Sequence, residues 1–153
     1  MLINAAASKP QIKPYNPNHR EQLLSVWERS VIASHSFLSQ KDFSIIKANL
    51  AAYDFSLANL HCLMENDRLL GFVGLTNTKI DMLFLDPDYI GKGFGKLLIE
   101  FAMEVYHANQ VDVNEQNPKA LEFYQKFGFE IYERNERDDF GMRYPLLRMR
   151  TTK

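Results

Sequence analysis

Cysteine is almost missing from this chain. Cys62 stands alone, so no internal disulfide can staple the fold. A disulfide-free chain fits a reducing compartment, and the expectation is a cytoplasmic protein. Long apolar runs are missing too. No stretch approaches the roughly 18 residues needed to cross a bilayer, so a membrane is not an expected partner. Neither sign of charge dominates: 18 Lys and Arg face 19 Asp and Glu, for a formal net charge of −1. Without a basic block to follow a phosphate backbone, nucleic acid is not an expected partner either. Metal-ligand spacing is also lacking. The four histidines, His19, His35, His61 and His107, form no His-x-x-x-His pair, and a single cysteine forms no Cys-x-x-Cys. No metal is expected. Cys62 neighbours His61 on a predicted strand, so the two face opposite sides, and Cys62 reads as buried rather than nucleophilic. Residues 1–10 lack the charged and apolar regions of a signal peptide and read as a flexible tail.

What is present is enough for one core. The 153 residues are 46% hydrophobic, with 11 Phe and 7 Tyr, and that length suits a single domain over residues 11–153. Residues 11–13 read as a short strand. Leu23, Leu24, Trp27 and Val31 recur at helical spacing and predict a helix over about 19–34. Ser39 and Asp42 resemble a capping pair before a second helix ending near residue 52. The period then changes. Residues 60–65, 69–76 and 80–85 read as three strands, the first two joined by a turn at Asn66-Asp67. A glycine loop leads into a third helix. Residues 110–113 form a strand, and Asn117-Pro118 opens a fourth helix that Gly128 closes. Residues 129–134 and 144–150 are the last strands. The order β-α-α-β-β-β-α-β-α-β-β predicts an α+β domain on a mixed sheet.

The loop runs Asp86-Pro-Asp-Tyr-Ile-Gly-Lys-Gly-Phe-Gly-Lys96. Glycines let a backbone approach a ligand and adopt positive φ. The first amides of the following helix lack intrahelical partners, at its electropositive end. The combination suits a phosphate or pyrophosphate, with Lys92 and Lys96 adding charge at the rim. The spacing is neither a P-loop nor Gly-x-Gly-x-x-Gly, because Lys96 occupies the last glycine position. A glycine-rich turn serving only the chain reversal is the alternative.

The stretch from Ile90 to Gly95 resembles motif A of the GNAT superfamily of N-acetyltransferases, Arg/Gln-x-x-Gly-x-Gly/Ala. Gly93 and Gly95 match and Ile90 departs from Arg/Gln. A second stretch, Val113-Asn-Glu-Gln-Asn-Pro-Lys-Ala-Leu-Glu-Phe-Tyr-Gln-Lys-Phe-Gly-Phe129, is similar to motif B. The preceding Met82-Leu-Phe-Leu-Asp-Pro87 also resembles the family's strand before the pyrophosphate loop. Nearly the whole chain agrees in element order, most closely with small stand-alone bacterial members. The resemblance implies a GNAT fold: a mixed, mostly antiparallel sheet of about six or seven strands, about four helices, and a splay between the fourth and fifth strands.

The resemblance also implies acetyl-CoA as cosubstrate. Its pyrophosphate would sit on the amides of Gly91, Lys92, Gly93, Phe94, Gly95 and Lys96. Its pantetheine arm would run beside Leu83, Phe84 and Leu85, with Asn117 contacting the arm and Asn114 close by. Asn117 is also a good N-cap, and one residue can serve both roles. In the family the tyrosine matching Tyr124 protonates the departing thiolate. The chemistry agrees, because a phenol of pKa about 10 still holds its proton where a thiol of about 8.5 begins to lose one. The bland reading of Tyr124 is a core tyrosine. A backbone amide of Leu83 or Phe84 is the candidate donor to the thioester oxygen.

The acceptor is an amine. A lysine-like amine is almost entirely protonated at neutrality, so a base is needed: Asp81, Glu28, His35, or a water relayed by one of them. Trp27, Phe37 and Tyr144 are candidate pocket walls, although aromatics at regular spacing are more often core. The acceptor pocket is expected from residues 31–52 and 138–144. No acidic run marks a polycation site. A protein lysine, a protein N-terminus, a polyamine and a small amine all fit, as do a monomer and a homodimer. The expected mechanism is direct attack in a ternary complex, with acetyl-CoA binding first. The alternative is a non-catalytic acyl-CoA-binding sensor on the same fold.

Overall fold

The computed structural model describes residues 9–152; most of the expected tail lies outside them. Seven strands and four helices follow in the predicted order: β1 Gln11–Pro14, α1 Arg20–Ser34, α2 Gln40–Ala51, β2 Asn59–Glu65, β3 Arg68–Thr76, β4 Lys79–Leu85, α3 Phe94–Tyr106, β5 Gln110–Asn114, α4 Pro118–Lys126, β6 Glu130–Asn135 and β7 Leu146–Arg150. One sheet holds all seven strands in the order β1-β2-β3-β4-β5-β7-β6. Every neighbouring pair is antiparallel except β4 and β5. This is the mixed sheet of the GNAT fold. No helix among the described residues is long and apolar enough to cross a membrane.

Helices cover both faces, which is why β3 carries Leu69, Leu70, Phe72, Val73 and Leu75 almost without interruption. On one face Leu23, Val26, Trp27 and Val31 of α1 pack with Leu60, Cys62 and Phe72. On the other, Leu98, Ile99 and Ala102 of α3 pack with Leu63, Val73, Val113 and Phe129. His61 and Cys62 take opposite faces as the strand period requires. Cys62 is buried and its thiol is pushed up to about 12 by burial. The predicted caps form: the Ser39 hydroxyl accepts from the Asp42 amide at 3.1 Å, and Asn117 Oδ1 accepts from the Ala120 amide at 3.2 Å.

One boundary needs correction. The last strand begins at Leu146, not at Tyr144. Pro145 has no N–H to give a ladder, and the Tyr144 N–H bonds locally to the Met142 carbonyl at 2.8 Å. Tyr144 is therefore a loop residue. Its hydroxyl reaches the start of α2, donating to Asp42 Oδ2 at 2.5 Å and accepting from the Ser39 amide at 3.2 Å.

The parallel pair positions the site. β4 and β5 share only two register pairs, Lys79 with Gln110 and Ile80 with Val111. β4 then stays with β3 as far as Gly71 opposite Leu85. β5 stays with β7 through Asn114 opposite Leu146. Each strand follows its antiparallel partner and a wedge opens between them. Gly71 holds the β3 side closed: a Cβ there would stand 2.7 Å from the Phe84 carbonyl oxygen.

Candidate active site

The wedge is the expected splay. The Asp86 N–H bonds to the Leu70 carbonyl at 2.7 Å and sets the phase of the β3–β4 ladder. Antiparallel pairs alternate, so Phe84 and Met82 also direct their backbone groups to β3. Leu83 and Leu85 direct theirs into the wedge. Of the two oxyanion candidates, the phase favours the Leu83 amide. A cavity of about 190 Å³ occupies the wedge, walled by Leu83, Phe84, Asn117, Ala120 and Tyr124 among others.

Beyond Leu85 the chain enters the glycine loop. Asp86 is buried, and its Oδ1 accepts from the Asp88 amide at 3.0 Å to start a short turn. Its Oδ2 takes a 2.7 Å ion pair from Arg29 of α1, whose other nitrogen reaches Asp88 at 2.8 Å. Sequence reading missed this clamp. Gly91 and Gly93 have φ of 85° and 82°, and a Cβ on either would meet no atom within 4 Å. The glycines thus serve backbone conformation and leave open space above it. Gly93 caps α3 without a side chain, and the Leu97 N–H makes the bond back to the Gly93 carbonyl at 3.2 Å. The amides of Phe94, Gly95 and Lys96 precede that bond and lack helical partners. This geometry fits a pyrophosphate. Gly95 lets α3 meet α4, since a Cβ there would lie 3.2 Å from the Phe123 ring. Lys92 sits over the Tyr89 ring at 5.4 Å. Ile90, the departure from the motif, is 66% exposed.

Tyr124 sits on the wedge wall, 7% exposed, with Phe123 and Phe129 edge-on at 5.1 and 5.7 Å. Burial pushes its phenol well above the ordinary value, so it keeps its proton at neutral pH. Asn117, about two turns before it, lines the same cavity while capping α4. Asn114, at the end of β5, lines this cavity and the next one.

A second cavity of about 310 Å³ continues from the wedge and shares His35, Asp81 and Asp112 with it. Its walls come from the two predicted segments: Val31, His35, Leu38 and Ile46 on one side, Asp138, Asp139, Phe140 and Tyr144 on the other. Trp27 also lines it, stacked on Phe43 at 5.7 Å. Two candidates do not. Glu28 is absent from the lining and pairs with Lys47 at 2.8 Å. Phe37 stands behind the wall, packing on His35 at 5.1 Å and Tyr144 at 5.9 Å. Burial lowers the His35 pKa.

The sequence has no acidic run, yet the fold builds an acidic wall. Asp81, Asp112, Asp138 and Asp139 come together from β4, β5 and the loop before β7. Arg148 and Lys79 neutralise part of it: Arg148 pairs with Asp112 at 2.7 Å and Asp139 at 2.9 Å, and Lys79 with Asp112 at 2.7 Å. Asp81 accepts from the Thr76 hydroxyl. Asp138 accepts from the Phe140 and Met142 amides at 3.0 and 2.8 Å. Neither is paired with a cation among the described residues, so no salt bridge compensates these two carboxylates at the cavity. Sequence reading named Asp81; the strand-period signal could also have found Asp112, whereas Asp138 and Asp139 lie in a loop with no period.

Known proteins resemble this chain in sequence and fold. The family described as "Acetyltransferase (GNAT) domain" matches residues 17–152. The peptidyl-lysine N-acetyltransferase YjaB of Salmonella typhimurium is 38% identical over 149 residues, covering 97% of this chain and 98% of that protein. The solution structure of apo YjaB from Escherichia coli superposes with a TM-score of 0.87 at 35% identity, over 95% of this chain and 99% of that one. PaiA N-acetyltransferase from Thermoplasma acidophilum, solved with coenzyme A, shares the fold with a TM-score of 0.74 at 18% identity, over 94% and 99% of the two chains. The wedge between β4 and β5, the glycine loop ahead of α3 and these likenesses agree: the chain belongs to the GNAT family and is an acetyltransferase.

Proposed function

We propose that this enzyme transfers the acetyl group of acetyl-CoA to the ε-amine of a lysine in a protein, by direct attack within a ternary complex. The observation that carries the proposal is the joined pair of cavities. One is a narrow slot ending at a proton-bearing Tyr124. The other is a wider pocket whose Asp81 and Asp138 favour a cation. A small cationic group entering the second meets the first where they share His35, Asp81 and Asp112. The likeness to YjaB over nearly the whole chain supports peptidyl lysine over other amines.

Bound acetyl-CoA supplies the thioester. The amides from Gly91 to Lys96 hold its pyrophosphate at the positive end of α3. The outward backbone of Leu83 and Leu85 aligns the pantetheine arm, and the Leu83 amide faces the carbonyl oxygen where charge grows. Asn117 contacts the arm and Asn114 lies close by. Asp81 attracts the ammonium. Tyr124 gives its proton to the sulfur, and burial keeps that proton in place until the sulfur needs it. Holding both reactants in one cleft supplies much of the acceleration.

The test is a calorimetric titration with acetyl-CoA, with thiol release measured over lysine peptides, free N-terminal peptides and polyamines. Wild-type enzyme should bind and turn over lysine peptides fastest. Tyr124→Phe should bind equally and lose about 10²-fold in kcat. Faster turnover of polyamines would overturn the acceptor, and an active Tyr124→Phe would overturn the acid. Parallel double-reciprocal lines would overturn direct attack.

A further inference from the structure

We infer that His35 Nε2 takes the proton from the acceptor ammonium, and that Ser30 and Ser34 fix the ring tautomer that makes this possible. The inference rests on the amine-acetylation reading above and names its base.

The available protons fix the tautomer. Ser34 Oγ lies 2.7 Å from the Ser30 carbonyl oxygen. A carbonyl only accepts, so the hydroxyl's single proton is committed there. The same Oγ lies 2.6 Å from His35 Nδ1. With its proton committed, the oxygen can only accept, so Nδ1 is the donor. A neutral imidazole has one N–H. Nε2 therefore carries the free lone pair. With Nδ1 turned to the last turn of α1, the Nε2 side of the ring remains for the cavities that His35 lines.

The ring is braced as a base must be. The His35 N–H bonds to the Val31 carbonyl at 2.8 Å and anchors its backbone to α1. Phe37 packs on the ring and is itself backed by Tyr144, which is tied to Asp42 and Ser39.

The competing candidates are otherwise engaged or open to solvent. Three titratable residues line both cavities: His35, Asp81 and Asp112. Asp112 is held by Lys79 and Arg148. Asp81 is exposed, with one oxygen on Thr76. Asp138, Asp139 and Tyr144 face His35 from the loop before β7, on the wider cavity only. The burial that lowers the His35 pKa keeps the ring neutral, in the proton-accepting form, at pH 7.

The step balances. The ammonium gives one proton to Nε2, which passes it to solvent. The freed nitrogen pair forms the C–N bond. The C–S bond breaks with its electrons on sulfur, and Tyr124 protonates that sulfur. The surplus proton left on nitrogen restores the phenol. Throughout, Nδ1–H stays on Ser34.

The experiment has two arms. Long-range ¹⁵N NMR of the histidine-labelled full chain reads the tautomer without turnover. Protonated Nδ1 is expected, with the preference lost in Ser34→Ala; protonated Nε2 overturns the inference whether or not lysine is the substrate. The second arm measures kcat against pH for wild type and His35→Gln. It uses a lysine peptide and the same peptide carrying the less basic S-aminoethylcysteine. His35→Gln should lose about 10²-fold in kcat at pH 7 with acetyl-CoA affinity unchanged. The loss should shrink as pH rises and with the less basic amine. A loss equal at every pH and for both amines shows a structural role and overturns the inference, as does an undiminished rate. If wild type neither binds acetyl-CoA nor releases thiol, the acetylation reading is what fails, together with the base assigned to it.

Discussion

Gly71→Ala tests the geometry that opens the wedge. Gly71 lies on β3 opposite Leu85, with no positive φ to explain it. A Cβ would stand 2.7 Å from the Phe84 carbonyl oxygen, 3.0 Å from Leu85 Cδ1 and 3.2 Å from Leu98 Cδ1. The two leucine methyls can turn away, but the carbonyl is backbone. It must move by several tenths of an ångström, and β4 must move with it. Overpacking of this kind costs about 1–3 kcal/mol. The stiffer unfolded chain returns about 0.4–1 kcal/mol. The net loss runs up to about 2.6 kcal/mol, or up to about 10 °C in Tm for a chain of this size. The displaced backbone belongs to the strand whose Leu83 and Leu85 face the slot. Acetyl-CoA affinity should therefore fall as well, although Gly71 lies on the neighbouring strand. Differential scanning calorimetry gives the first number and isothermal titration the second. A Gly71→Ala protein as stable as wild type, with undiminished affinity, would refute the reasoning.

Gly93→Val should act in the opposite proportion: nothing crowds its Cβ, so the cost is the left-handed backbone at φ 82°. Acetyl-CoA binding should weaken more than for Gly71→Ala, as read by the same titration. Arg29→Ala leaves buried Asp86 without its ion-pair partner at the start of the glycine loop. It should lower Tm and acetyl-CoA affinity together, with Asp86→Asn partly rescuing stability in the double variant, as a double-mutant cycle reports. Burial lowers the pKa of His19, His35 and His61 below the ordinary 6.5. The unfolded chain therefore binds more protons as pH falls through that value, and stability must fall with it. Urea denaturation between about pH 7.5 and about pH 5.5 should show the decline. His61→Gln should make it shallower.

Element order was legible because each element carries a local signal. Ser39 and Asn117 cap their helices with their own side chains. The Leu23–Trp27–Val31 spacing marks a buried stripe whatever lies opposite it. The glycine loop and the helix beginning at Pro118 were legible for the same reason: φ signs and orphan amides are properties of a few consecutive residues. Where sequence reading failed, the cause was distance along the chain. Arg29 and Asp86 are separated by 57 positions, and nothing near either announces the other. Glu28, named as a candidate base, pairs with Lys47 in the folded chain, a contact that nothing near either residue in sequence announces. Tyr144 seemed to start a strand because hydrophobic residues follow it, and Pro145 alone forbids that.

The acidic wall shows the same limit and makes a positive point about the site. Asp81 and Asp112 sit on the two strands that diverge, and Asp138 and Asp139 on the loop that bridges toward α2. They meet because β5 leaves β4 after two pairs to follow β7. The divergence that opens the slot also carries carboxylates to its edge, where the proposed reaction brings the ammonium. Arg148, half-buried at the base of the wall, spans Asp112 on one diverging strand and Asp139 on the loop. It is therefore a brace that holds the wall's shape while cancelling only part of its charge. In the proposed reaction, a wall neutralised completely would not draw in the acceptor ammonium, and one left wholly bare would hold it protonated. Asp81, with no cation paired to it and lining the same cavity as His35, lies between those extremes in the proposed reaction. It attracts the cation and leaves its proton a place to go.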